Sequence, residues 1–194
     1  MKKKVFILAL LAALILSGCS LPPPADSQGR AWSEEWVTVG NVIGVDTPEG
    51  LTPRENIDTL AVSEIYYATW SIGDGETIKT AEDADSTVYD AQIYLLIQGR
   101  ETVETAEGDV SAWLALAEER YAIENRSTGS YGEQAFTILT YNYTGEDNPY
   151  ARGAAAYGLY GNFAVSVEVS CREAFEGDAA EILTNFLEHC HYAA

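Results

Sequence analysis

The sequence predicts an α+β domain in which an antiparallel β-sheet is flanked by helices. Three observations carry that prediction. The segment "NFAVSVEVSC" alternates Phe163, Val165, Val167, Val169 and Cys171 against Ala164, Ser166, Glu168 and Ser170, the period of a half-buried strand. The segment "DAAEILTNFLEHC" gathers Ala179, Ile182, Leu183, Phe186, Leu187 and Cys190 on one helical face, the stripe of a helix packed on a core. Between and before them, short β-branched and aromatic runs are separated by glycine and asparagine, an order that favours an antiparallel sheet covered by helices.

The chain begins with a predicted leader. Lys2, Lys3 and Lys4 precede an uncharged apolar run from Val5 to Leu16, and small Ser17 and Gly18 precede Cys19. That is the layout of a signal peptide. At ~1.5 Å per residue the apolar run covers only about 18 Å, short of the ~30 Å hydrocarbon core. Cleavage is therefore expected. Leu16-Ser17-Gly18-Cys19 resembles the bacterial lipobox, in which the cysteine takes a diacylglycerol on sulfur before the peptidase cuts at its amine. The resemblance implies residues 1–18 as leader and an acylated Cys19, carrying palmitate-type chains, as the mature N-terminus. Residues 19–31, with Pro22, Pro23 and Pro24, read as a locally stiff tether, and residues 32–194 as a single domain.

Within that domain, "EWVTVGNVIGVDTPEG" alternates around Gly40-Asn41 and predicts an opening hairpin. "LAVSEIYYATWSIGDGETIKT" predicts a strand that reverses at Gly73-Asp74-Gly75, and "TVYDAQIYLLIQG" a further strand. Alternation sends Tyr66 and Trp70 to one face and Tyr67 to the other. "DVSAWLALAEERY" recurs apolar at Val110, Trp113, Leu114, Ala117 and Tyr121, predicting a helix over residues 109–121 capped by Asp109 or Ser111. "QAFTILTYNY", "ARGAAAYGLY" and "FAVSVEVSC" supply three more strands, the last two joined through Gly161-Asn162. A closing helix spans residues 178–190, with Asp178 and Glu181 in a capping-box pattern.

The whole chain carries 11 basic and 30 acidic residues; without Lys2, Lys3 and Lys4 its formal charge is −22. Phosphate-rich partners, nucleic acid and anionic headgroups alike, would be repelled. Cations, cationic peptides and neutral glycans would not. With Cys19 acylated, Cys171 and Cys190 remain, and an exported chain with an even remainder invites a disulfide between them. A helix running straight back along the preceding strand would set them about 18 Å apart by helix rise, whereas a bridge needs Cα atoms within about 7 Å. The alternative is a pair of buried thiols.

No catalytic, cofactor or metal motif emerges. His189-Cys190-His191 cannot converge on one ion from consecutive helical positions, ~100° apart. Asp83, Asp85 and Thr87 begin like a calcium loop, but Val88 stands in place of the turn glycine and Tyr94 in place of the closing glutamate. Gly158 and Gly161 flank an aromatic stretch with no strand-to-helix phosphate cradle. Only two histidines occur, both C-terminal, and no G-x-S-x-G is present. Loop-borne Tyr150 and Tyr160 are the candidate ligand-contact aromatics, since exposed rings stack on sugars or anchor protein partners.

The hairpin leading into "GVDTPEGL", the central sheet, the mid-chain helix and the closing helix resemble the PsbP-like α/β/α sandwich, with Pro48-Glu49-Gly50 and Leu51 as the most local similarity. "NPYARGAAAYGLYGNFAVSVEVSCREAF" resembles a group of clostridial lipoproteins. The PsbP-like resemblance implies a non-enzymatic binding or assembly role. The sequence thus leads to the expectation of a lipoprotein of the cell membrane, facing outside the cytoplasm, that binds an envelope protein or glycan. An exported hydrolase using carboxylates is the alternative. Two convergent buried carboxylates in one cleft would mark the enzyme, and an aromatic patch the binding module.

Overall fold

The structure, a computed structural model, describes residues 32–60, 64–79, 85–145 and 148–193. The leader, Cys19, the tether and Asp83 lie outside the described residues. The strands are β1 (Val37–Val39), β2 (Ile43–Val45), β3 (Thr52–Leu60), β4 (Ile65–Ile72), β5 (Glu76–Lys79), β6 (Asp85–Val88) and β7 (Ala91–Gly99). Helix α1 (Val103–Arg120) follows, then β8 (Tyr121–Tyr131), β9 (Gln134–Tyr143), β10 (Arg152–Tyr160), β11 (Phe163–Cys171), helix α2 (Ala179–Glu188) and β12 (Cys190–Tyr192).

A seven-stranded antiparallel sheet, in the order β3-β4-β7-β11-β10-β9-β8, forms the centre. A small sheet β1-β2-β12 and a ribbon β5-β6 complete the strands. The expected hairpins β1-β2 and β10-β11 form, the latter turning at Gly161 with φ +56°. The expected reversal at Gly73-Asp74-Gly75 does not return β4 onto itself. The chain instead leaves the sheet to build β5-β6, and β7 comes back as the partner of β4. Tyr89-Asp90 interrupts the run expected as a single strand, dividing it into β6 and β7.

Alternation along the central strands divides their side chains between two cores. On one face Trp70, Ile93, Leu95, Ile97, Val165, Val167 and Val169 meet Leu183, Phe186 and Leu187 of α2 and Val39, Ile43 and Val45 of the small sheet. Trp70 sits edge-on to Phe186, centroids 4.7 Å apart, and its indole N–H donates to Thr47 Oγ1 at 3.2 Å. On the other face Leu139, Tyr141, Ala155 and Tyr157 meet Ala117 of α1, with Val110, Trp113 and Leu114 packed alongside. The result is three layers in which sheet predominates. Among the described residues no helix is long and apolar enough to cross a membrane.

Both helices begin where side chains satisfy their free N–H groups. Asp178 accepts from the N–H groups of Ala180 and Glu181, as its capping pattern predicts. Helix α1 starts earlier than periodicity indicates, with Thr102 as its cap. Asp109, expected as that cap, lies within the helix and forms a two-pronged ion pair with Arg100 at 2.5 and 3.0 Å. The closing helix stops at Glu188, so His189 caps it through Asn185 O while Cys190 and His191 enter β12. His191 stacks on Trp36 with centroids 4.0 Å apart, a packing role.

The expected Cys171–Cys190 bridge is not formed; both are free, buried thiols. Helix α2 starts beside the Cys171 end of β11, where Arg152 reaches Gly177 O at 3.1 Å, and packs back over β10 and β11. Cys190 therefore emerges at the far end, pairing with Val45, two residues before Tyr192 meets Tyr160. Burial pushes the Cys171 thiol up to about 11 and the Cys190 thiol up to about 12. At neutral pH neither supplies thiolate. Unfolding the domain without reductant should expose both thiols to a thiol reagent, while the native protein reacts slowly; no reactive thiol from the unfolded, unreduced domain would restore the bridge.

Candidate functional site

Helix α1 covers only part of its side of the sheet. It packs on β8, β10 and β11, while β4 and β7 continue past it with Tyr67, Thr69, Tyr94 and Leu96 half-buried. Along its open flank lies a cavity of about 150 Å³ lined by Leu96, Trp113, Leu116, Ala117, Arg120, Tyr121, Tyr157, Ser166 and Glu168. Leu116 on the rim is 40% exposed, an apolar side chain left at the mouth.

The sheet register builds the floor. Tyr94, Glu168 and Ala155 form one cross-strand row, and Leu96, Ser166 and Tyr157 the next. Small side chains at Ala155, Ser166 and Ser170 leave room for the large rings beside them. Gly153 matters most: a Cβ there would lie 2.6 Å from the Tyr141 ring and 2.8 Å from Val169 O. Tyr141 fills that space, stacks on Tyr121 at 4.2 Å and meets Tyr143 edge-on at 5.5 Å. The Tyr143 and Ser170 hydroxyls share a hydrogen bond of 2.6 Å.

Glu168 is the polar centre. Its Oε1 accepts from the Tyr157 hydroxyl at 3.1 Å and from Ser166 Oγ at 3.5 Å. Among the described residues no Lys, Arg or His nitrogen lies within 4 Å of it. Burial raises its carboxyl above the ordinary 4.5, while the two hydroxyl donors and the charge of Arg120 act the other way. Burial also raises the Tyr157 and Tyr141 phenols, and the Tyr143 phenol to about 12, so all three stay protonated donors at neutral pH.

The sign of the pH effect follows. An acid with a higher pKa folded than unfolded keeps a proton that the unfolded chain has lost. Its contribution makes stability fall as pH rises from the unfolded value to the folded one. Glu168→Gln removes that fall. Urea midpoints of both proteins from acid to neutral pH should diverge in favour of the variant; a constant or opposite difference would mean Glu168 does not occupy this environment.

The sequence-predicted residues sit elsewhere. Tyr150 is 9% exposed and leans on Tyr143 at 6.4 Å. Tyr160 packs against the α2-side core and Tyr192 at 5.2 Å. Tyr150 is packed inward beside Tyr143, Tyr160 stays half-buried at the end of β10, and neither lines the cavity. Glu168, Tyr157 and Trp113 form the site in their place. The signal that could have found them was the polar row Ser166-Glu168-Ser170, alternating with the apolar Val165, Val167 and Val169 of the same strand. Among the described residues no group of His, Cys, Asp and Glu is arranged to hold a metal ion.

No family model and no curated protein matches the chain. Among solved structures the chain is similar to the solution structure of cyanobacterial PsbP (CyanoP) from Synechocystis sp. PCC 6803, with 11% identity over 76% of this chain and 95% of that one and a TM-score of 0.39.

Proposed function

We propose that this protein is a lipid-anchored binding module of the cell membrane, displayed outside the cytoplasm, whose site is the cavity between α1 and the open half of the sheet. The observation that supports this reading is the cavity's make-up: aromatic and aliphatic walls around one carboxylate. Acid–base hydrolysis calls for two cooperating groups at the reacting bond. Among the described residues Glu168 is the single carboxylate on the cavity wall, which favours recognition over the hydrolase alternative.

A photoreactive side chain in place of Leu116, on the cavity rim, tests the reading in living cells. Val103, 48% exposed at the other end of the same helix, is the control position. A crosslinked ligand or partner recovered from position 116 and absent from position 103 is expected. Equal recovery from both, or none from position 116, would remove the cavity as a binding site.

A further inference from the structure

We propose that the cavity recognises an ammonium group, held by Glu168 between aromatic rings, so that the ligand is a small amine. This rests on the binding reading and specifies its ligand class. Glu168 Oε1 is occupied by Tyr157 and Ser166, whereas Oε2 receives no hydrogen bond from the described residues. Arg120, exposed on the rim of the same cavity, offsets the burial of Glu168 only in part, and a cation arriving in contact with Oε2 relieves more of that cost. Trp113, Tyr121 and Tyr157 line the same space. Their faces attract an ammonium group, most strongly where it is desolvated.

Size and charge narrow the class. A cavity near 150 Å³ matches a ligand body of about six carbons, since a cavity of that volume accepts benzene. A glycan chain would find few free polar groups, because the hydroxyls of Tyr157 and Ser166 are already committed to Glu168. Anions meet the Glu168 charge and the acidic surface. Arg120 is the cation on the wall, and its side chain is exposed at the rim. It would repel a simple amine weakly and would hold the carboxylate of a zwitterion. Free amino acids and simple alkylamines thus share the ammonium chemistry and differ in their use of Arg120.

Calorimetric titration of the full-length protein in detergent distinguishes these sources. The probes are n-butylamine, tetramethylammonium, L-norleucine and, as a neutral control, methyl glucoside. Saturable binding of at least one ammonium probe with Kd of about 1 mM or tighter is expected, weakened about tenfold or more by Glu168→Gln. Tightest binding of norleucine, with the advantage lost in Arg120→Gln, would support the proposal with an amino acid as ligand. Tightest binding of butylamine or tetramethylammonium would support it with a simple amine. Absence of saturable binding by every ammonium probe, or undiminished binding by Glu168→Gln, would overturn it. Methyl glucoside binding insensitive to Glu168→Gln would overturn the ammonium proposal and leave the binding reading standing, whereas loss of the position-116 crosslink would end both.

Discussion

Phe186→Ala is expected to cost about 3–5 kcal/mol of folding stability, the range for emptying a buried phenylalanine site. Phe186 is fully buried on α2, edge-on to Trp70 of β4, and surrounded by a core that includes the small sheet. Its ring sits where α2, the central sheet and the small sheet meet, so the surroundings cannot collapse into the void without moving α2. The aromatic pair adds about 0.5–1.5 kcal/mol beyond area. Against a total of about 5–15 kcal/mol for a domain, the loss is large. Urea unfolding should show it, while Leu116→Ala, at an exposed position on α1, stays within about 0.5 kcal/mol of the parent. A Phe186→Ala cost below about 1 kcal/mol would mean that α2 does not close this core.

Cys19→Ala is expected to abolish acylation altogether. Under the proposed anchoring, the thioether at Cys19 carries the lipid, and its peptidase acts only after that bond is made. Two chains hold a protein to a bilayer where one binds reversibly, since each buried CH₂ contributes about 0.8 kcal/mol. Without the thiol there is no site for either chain. Metabolic labelling with an alkyne fatty acid should mark the parent and leave the variant blank, and the variant should keep its leader as extra mass. Label persisting in Cys19→Ala would refute a lipobox at Leu16-Ser17-Gly18-Cys19 and with it the location.

The strands β9, β10 and β11, the first hairpin and the cap of α2 were legible because alternation and capping act over a few residues. β3 was not. Its sequence "TPRENIDTL" is polar, contains Pro53 and shifts register between Arg54 and Asp58, all tolerable on a sheet edge. β8 lies on the opposite edge, and "ENRSTGS" within it hides the same pairing. The first two turns of α1, "VETAEGD", lack an apolar stripe because the small Ala106 is the buried residue among them.

The site escaped for a related reason. Alternation places Ser166, Glu168 and Ser170 on the less apolar face of β11, and a single strand does not reveal what lies above that face. In the fold α1 and the tyrosines of β9 and β10 cover it, burying Ser166 and Ser170 and partly enclosing Glu168. Tyr150 and Tyr160 misled in the opposite direction. Position in a loop or at a strand end predicted exposure; packing on Tyr143 buries Tyr150, and Tyr192 with the α2-side core covers part of Tyr160.

A pH titration of the Glu168 side-chain carboxyl, followed by carbon-13 NMR and assigned by its disappearance in Glu168→Gln, bears on everything proposed for the cavity. An enclosed carboxylate whose burial outweighs the charge of Arg120 should titrate above the ordinary 4.5 and shift downward when an ammonium ligand enters. A midpoint at or below that value in the free protein would show a solvated or already paired carboxylate, and the cavity would lose the feature that makes it a site.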